Sequence, residues 1–126
     1  MPIILAVDDD IDDLQLLEEA IKSISRDLFF VQANNGKDAL SMLDELVPDF
    51  IFLDINMPIM NGLDCLRLIR KISTFKRTPI IMVSTSISPD DKLLASEFNA
   101  AYIQKPNNFR DLASRVADIL KIYSGI

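Results

Sequence analysis

Carboxylates, hydroxyls and one lysine stand at the ends of short apolar runs in this sequence. The run at 3–7 leads into Asp8-Asp9-Asp10, and the run at 50–53 into Asp54. The run at 80–83 leads into Ser84-Thr85-Ser86, and the segment at 101–104 ends in Gln104 followed by Lys105-Pro106. The chain has no histidine and a single cysteine, Cys65. The available ligands are therefore oxygens, which favour a hard cation such as Mg2+. A carboxylate beside such a cation can attack a phosphoryl group and form an aspartyl phosphate. The cation and a lysine then offset charge on the transferring oxygens, and a hydroxyl can donate a hydrogen bond to one of them. The residue types that a Mg2+-dependent phosphoryl acceptor needs are all present. The lack of histidine excludes a histidine-based triad, a histidine-ligated zinc and a phosphohistidine carrier. One cysteine cannot form an internal disulfide, so a reducing compartment is expected.

Two kinds of segment alternate to position these residues. Strands are expected at 3–7, 28–33, 50–53, 80–83 and 101–104, each a short run rich in apolar and β-branched residues. Between them lie segments with apolar residues every three or four positions, the pattern of amphipathic helices. The first follows Asp10, its expected N-cap, and carries Leu14, Leu17, Ile21 and Ile24 on one face. The second starts near Asn35, carries Ala39, Leu40, Leu43 and Leu46, and ends before Pro48. The third begins near Gly62 with Leu63, Leu66 and Ile69. Ser88-Pro89-Asp90-Asp91 reads as the start of the fourth, with a serine cap and proline at the first helical position. The last runs from about Asn108 with Phe109, Leu112, Val116, Ile119 and Tyr123 on one face.

Five β-α units without repeats or linkers imply a parallel sheet with helices on both faces. Right-handed crossovers make this a doubly wound α/β fold, a (βα)5 three-layer sandwich. Ligands of such folds sit beyond the carboxyl ends of the strands, where the carboxylates, hydroxyls and lysine lie. The length of 126 residues fits one domain, and 49% hydrophobic with 25% charged residues excludes a disordered or fibrous chain. The net charge of −6 gives no general attraction to nucleic acid or anionic lipid. No signal peptide or membrane span is visible. A soluble cytoplasmic protein is expected, with no direct DNA binding and no membrane association.

The motifs VDDD at 7–10, FLDINMPIMNG at 52–62, MVST at 82–85 and YIQKP at 102–106, in this order and spacing, resemble those of response regulator receiver domains. The kind they resemble is the single-domain, CheY-like one used in bacterial two-component signalling. The resemblance covers essentially the whole chain, so 1–126 is expected to be one receiver domain with no output domain. CheY and flavodoxin share a five-stranded parallel sheet of order 2-1-3-4-5, and the resemblance implies that order here.

The resemblance also implies roles. Asp54 is the phosphoacceptor. Asp9, Asp54 and the backbone carbonyl of Asn56 hold Mg2+, with Asp8 acting mainly through water. Ser84 is the switch hydroxyl, and Lys105 pairs with Asp54 before phosphorylation and with the phosphate afterwards. Tyr102 is the aromatic switch residue that turns inward when Ser84 moves. The Asn56 side chain at the site mouth tunes the phosphate's lifetime. Met57, Pro58 and Gly62 shape the loop after Asp54, and the Lys105–Pro106 peptide bond is cis. The phosphoryl donor is a sensor histidine kinase or phosphotransfer protein. The output is a protein target that meets the face made by the fourth helix, fifth strand and fifth helix. The domain is then a switch that catalyses only its own phosphorylation and dephosphorylation. The target's identity and self-association into a homodimer stay open.

The chain departs from the family pattern at three places. Thr85 follows the switch hydroxyl where the family most often has alanine or glycine, which narrows access to the phosphate. The common glycine before the fifth strand is absent, and Asn99 is a candidate for the left-handed cap instead. Asn107 replaces the usual phenylalanine after Lys-Pro. Ser84-Thr85-Ser86 resembles the small response regulators paired with bacterial phytochromes. The basic residues Arg67, Arg70, Lys71, Lys76 and Arg77 read as a solvated face, and Cys65 as a residue without reactive neighbours. Other classes fit less well. A phosphatase of the haloacid dehalogenase type lacks the residue that normally follows its aspartate pair and has no room for a cap. A flavodoxin-like nucleotide binder would not place three aspartates after strand one. A receiver that is never phosphorylated and acts as a scaffold keeps no use for these residues.

Overall fold

The computed structural model describes residues 1–124; Gly125 and Ile126, at the end of the last expected helix, lie outside the described residues. The strands are β1 (Ile3–Val7), β2 (Phe29–Ala33), β3 (Phe50–Asp54), β4 (Ile80–Ser84) and β5 (Ala101–Gln104). They form one parallel sheet in the order β2-β1-β3-β4-β5. The helices are α1 (Ile11–Ile24), α2 (Gly36–Met42), α3 (Gly62–Lys71), α4 (Pro89–Glu97) and α5 (Phe109–Ser124), with a short 3-10 turn at Ser73–Phe75. The expected doubly wound fold and strand order are those observed.

Side chains alternate across each strand, so the sheet builds two cores. Leu5, Ile51, Leu53, Ile80 and Met82 pack with Ala39, Leu66 and Ile69 from α2 and α3. Ile4, Ala6, Phe52, Ile81 and Val83 pack with Leu14, Leu17 and Ile21 of α1 and Leu112, Val116 and Leu120 of α5. The three central strands are buried on both faces, which is why they read as unbroken apolar runs.

Helix starts follow local chemistry. Asp10 caps α1 by accepting from the N–H groups of Asp12 and Asp13. Asn35 and Asn61 cap α2 and α3 in the same way. Ser88 and Asp91 form a reciprocal capping box on α4, with Pro89 at the first helical position. At the end of α4, Asn99 is left-handed at φ 55°. The Ala100 N–H reaches the Ala95 carbonyl at 2.9 Å and the Asn99 N–H that of Ser96 at 3.0 Å. That pair of bonds is a Schellman motif, with asparagine doing the work of the missing glycine.

Three expectations are corrected. Helix α2 stops at Met42, four residues short of Leu46. Asp44 and Glu45 follow its end, where a helix dipole disfavours negative charge. On α5, Phe109 and Tyr123 are exposed while Leu120 is buried, because the packed stripe runs through Leu112, Val116 and Leu120. Arg70 is no solvated charge. Its guanidinium donates to the carbonyls of Phe98 (2.8 Å), Phe75 (2.7 Å), Thr78 (2.7 Å) and Asn99 (3.1 Å). It ties α3 to the turn before β4 and to the end of α4. No helix among the described residues is long and apolar enough to cross a membrane.

Candidate functional site

The site lies at the carboxyl edge of the sheet, where strand parity sorts the polar residues. Ile4, Ala6 and Phe52 face α1 and α5, so Asp8 and Asp54, next in the same alternation, start from that face. Ile103 belongs to the same core, and Lys105 follows it by two. Ser84 follows Ile80 and Met82, which face α2–α4. The register pairs Val7 with Leu53 and Asp54 with Val83, which brings the strand ends level.

Asp8, Asp9 and Asp54 place carboxylate oxygens within 4.8 Å of one another, with Asp8 and Asp54 buried and Asp9 exposed. Three carboxylates at this spacing repel one another unless protonated or neutralised. This donor set of hard oxygens fits a divalent cation such as Mg2+. Burial first, then the neighbouring Asp8 charge, pushes the Asp54 carboxyl up to about 7, against the opposing pull of Lys105. Burial also raises Asp8, while hydrogen bonds from Lys105 and from the Asp10 N–H work the other way.

Lys105 stands at the centre of the site. Its ammonium donates to Asp8 Oδ2 and Asp13 Oδ2, both at 2.8 Å, and lies 3.9 Å from Asp54 Oδ1. Burial opposes its charge, but the bonds to Asp13 and Asp8 and the field of Asp54 outweigh that and hold it above the ordinary lysine value. The expected pairing with Asp54 is present as the longer contact, and the hydrogen-bonded partners Asp8 and Asp13 are added to it. Asp13 was not singled out from the sequence, where it reads as one more acid in the first turn of α1. Only the packing of α1 beside α5 shows that it faces the lysine.

The loop after Asp54 is shaped by close backbone approaches. The Gly62 N–H donates to the Ile55 carbonyl at 2.7 Å. A Cβ at Gly62 would lie 1.9 Å from the Asp54 carbonyl oxygen, so glycine is required there. Met57 points into the core and Ile59 is exposed. The Met60 N–H closes on the Pro58 carbonyl at 2.7 Å. Ile59, between them, has φ 71°, a strained γ-turn for a β-branched residue. The Asn56 amide donates to the buried Ser84 hydroxyl oxygen at 3.0 Å. That leaves the Ser84 hydrogen free for another acceptor. Thr85 is exposed at the mouth, and its carbonyl accepts from the Gln104 amide at 3.2 Å.

Tyr102 is 45% exposed and faces outward, with the Lys92 ammonium 5.3 Å from its ring centre. The expected cis bond at Pro106 is corrected: no peptide bond among the described residues is cis. A tertiary X–Pro amide still prefers trans by about 0.5–1 kcal/mol. Cys65 is fully buried, and burial pushes its thiol up to about 11, which keeps it unreactive. A small cavity of about 50 Å³ is lined by Asp8, Asp13, Asp54 and Lys105 together with apolar residues such as Leu17 and Phe52.

Known proteins match this arrangement over nearly its whole length. The family model "Response regulator receiver domain" matches residues 4–117. The transcriptional regulatory protein CpxR of Escherichia coli is 36% identical over 119 residues, covering 94% of this chain and 49% of CpxR. The chain thus spans about half the length of that relative. The chemotaxis protein CheY of Pseudomonas aeruginosa is 32% identical over 119 residues, covering 91% of this chain and 96% of CheY. The structure of the phosphorylated cyanobacterial phytochrome response regulator RcpA superposes with a TM-score of 0.89 at 29% identity, over 99% of this chain and 96% of that one. Matched in sequence over most of its length and in fold from end to end, this chain belongs to the response regulator receiver domains, aspartate-phosphorylated switches of two-component signalling rather than classical enzymes.

Proposed function

We propose that residues 1–126 form one receiver domain that accepts a phosphoryl group on Asp54 in the presence of Mg2+ and passes the change to a protein-binding surface. The observation that carries this reading is the convergence of Asp8, Asp9 and Asp54 within 4.8 Å, with the Lys105 ammonium 3.9 Å from Asp54. Asp9, Asp54 and the Asn56 carbonyl would hold Mg2+, with Asp8 acting through water. When bound, the cation supplies positive charge beside the carboxylates and the transferring phosphoryl oxygens. The donor is the phosphohistidine of a sensor kinase or phosphotransfer protein. An Asp54 oxygen forms the new O–P bond as the P–N bond breaks, and the histidine ring leaves with the electron pair and takes a proton.

The new group adds about −1.5 to −2 of charge and three acceptor oxygens. Lys105 turns an N–H toward them. Ser84 donates the hydrogen that its bond from Asn56 leaves free. Its movement opens room for Tyr102, now outside against Lys92, to turn inward. The face carrying exposed Leu93, Tyr102 and Tyr123 on α4, β5 and α5 changes accordingly and meets a protein target or a second copy. This is a population shift between two states. Thr85 at the mouth slows water attack on the phosphate. Replacing it, Thr85→Ala, is expected to speed dephosphorylation, and equal or slower decay would remove that role.

The test is Mg2+ with beryllofluoride, a phosphoryl mimic, followed by thermal shift and tyrosine fluorescence, with Asp54→Asn as control. A Mg2+-dependent response lost in the control is expected. A folded wild-type protein that does not respond would leave a scaffold that is never phosphorylated.

A further inference from the structure

We infer that Asp13 is a positioning residue that tethers the Lys105 ammonium on the α1 side of the site while Asp54 is unphosphorylated. The inference rests on the switch reading above. Asp13 lies 92 residues from Lys105 in sequence, yet its Oδ2 is 2.8 Å from the ammonium, as close as Asp8. Asp54 is a further ångström away, at 3.9 Å. The tether is anchored: the Asp13 N–H donates to the Asp10 cap at 3.3 Å, so the carboxylate projects from a fixed first turn. The lysine end of the pair is largely screened from water, with side-chain exposures of 15% for Lys105 and 33% for Asp13.

Asp13 is not one of the three carboxylates that converge as a cation site. A cation held by that trio draws on Asp8 and weakens its hold on the lysine. Asp13 then remains as the partner that competes with a phosphoryl group on Asp54 for the ammonium protons. An acid here favours the unphosphorylated arrangement, and its removal favours the phosphorylated one. A neighbouring acid without the contact should not have this effect. Asp12 is such a residue, in the same first turn and not among the partners of Lys105.

The experiment compares wild type, Asp13→Asn, Asp13→Glu and Asp12→Asn for beryllofluoride binding with Mg2+ by titration calorimetry. Thermal unfolding of each confirms folding. The lysine side-chain ammonium resonances of the Mg2+-free proteins are read in parallel by NMR. Asp13→Asn is expected to bind the mimic about fivefold more tightly, equivalent to about 1 kcal/mol. It should shift the Lys105 resonance, while Asp13→Glu returns affinity toward wild type and Asp12→Asn leaves both unchanged. Equal or weaker binding by Asp13→Asn would overturn the tether, and so would an equal gain in Asp12→Asn. Absence of Mg2+-dependent binding by the wild type would overturn the switch reading and the tether together. Normal wild-type binding with an unaltered Asp13→Asn would overturn the tether alone.

Discussion

Each end of the sheet is organised around one long cation, and the two are treated in opposite ways. At the amino end, Arg70 meets four neutral carbonyls, those of Phe75, Thr78, Phe98 and Asn99. Its planar fork satisfies groups from two loops without bringing in a second charge. At the carboxyl end, Lys105 faces Asp8, Asp13 and Asp54, with Asp9 close by. One positive charge faces four carboxyl groups, and two of those are buried. The amino end is satisfied within the protein. The carboxyl end gathers more carboxyl groups than its lysine contacts by hydrogen bonds. The fold is held where charges are scarce, and the switch is placed where they are in excess.

The strongest test of this contrast is to remove the amino-end fork. Arg70→Met leaves four carbonyls without their donor and is expected to cost about 3 kcal/mol in urea unfolding. Beryllofluoride affinity of the folded fraction should not change; a large loss of affinity would show that the two ends are coupled. Next comes Gly62→Ala. A Cβ that close to the Asp54 carbonyl must displace the loop, with an expected loss of about 2 kcal/mol and clearly weaker beryllofluoride binding. Unchanged binding would mean that the loop's backbone path is not needed by the site.

The third test concerns the excess charge itself. Asp54 has its carboxyl at about 7 in the folded protein against an ordinary 3.8. Between about pH 4 and pH 7 the folded state therefore holds a proton that the unfolded chain has lost. This contribution is favourable in acid and is lost as pH rises through 7. Without Mg2+, Asp54→Asn should be more stable than wild type by about 2 kcal/mol at pH 8, with a smaller gain at pH 5. Calorimetric melting at the two pH values decides it, and a gain independent of pH would contradict the origin in charge. The smallest effect belongs to Ile59. The residue is 84% exposed and so contributes little to the core, while its φ of 71° disfavours a β-branched residue. Ile59→Gly should stabilise by about 0.5–1 kcal/mol, measured by the shift in melting temperature. A loss would show that the side chain is packed in solution.

The elements were legible in the sequence because their causes are local. Two-sided burial makes continuous apolar strands, and Asp10, Asn35, Asn61 and Ser88 cap the helices that follow them. Asn99 is legible as a left-handed cap for the same reason. The residues at the strand ends followed from the fold, since alternation of period two and a parallel sheet leave them nowhere else to go. Of the partners of the two cations, only Asp54 beside Lys105 was legible. Arg70 looks like its basic neighbours, and Asp13 looks like Asp12, because an isolated residue carries no record of what packs against it. The order of chain elements and the chemistry available at the strand ends were set by the sequence alone, through propensity and periodicity that act over a few residues. Which further carboxylates hold Lys105, and that Arg70 spans two loops, were decided only when α1 docked beside α5 and α3 beside the end of α4. Those contacts join residues far apart in the chain, and their geometry depends on how whole elements pack.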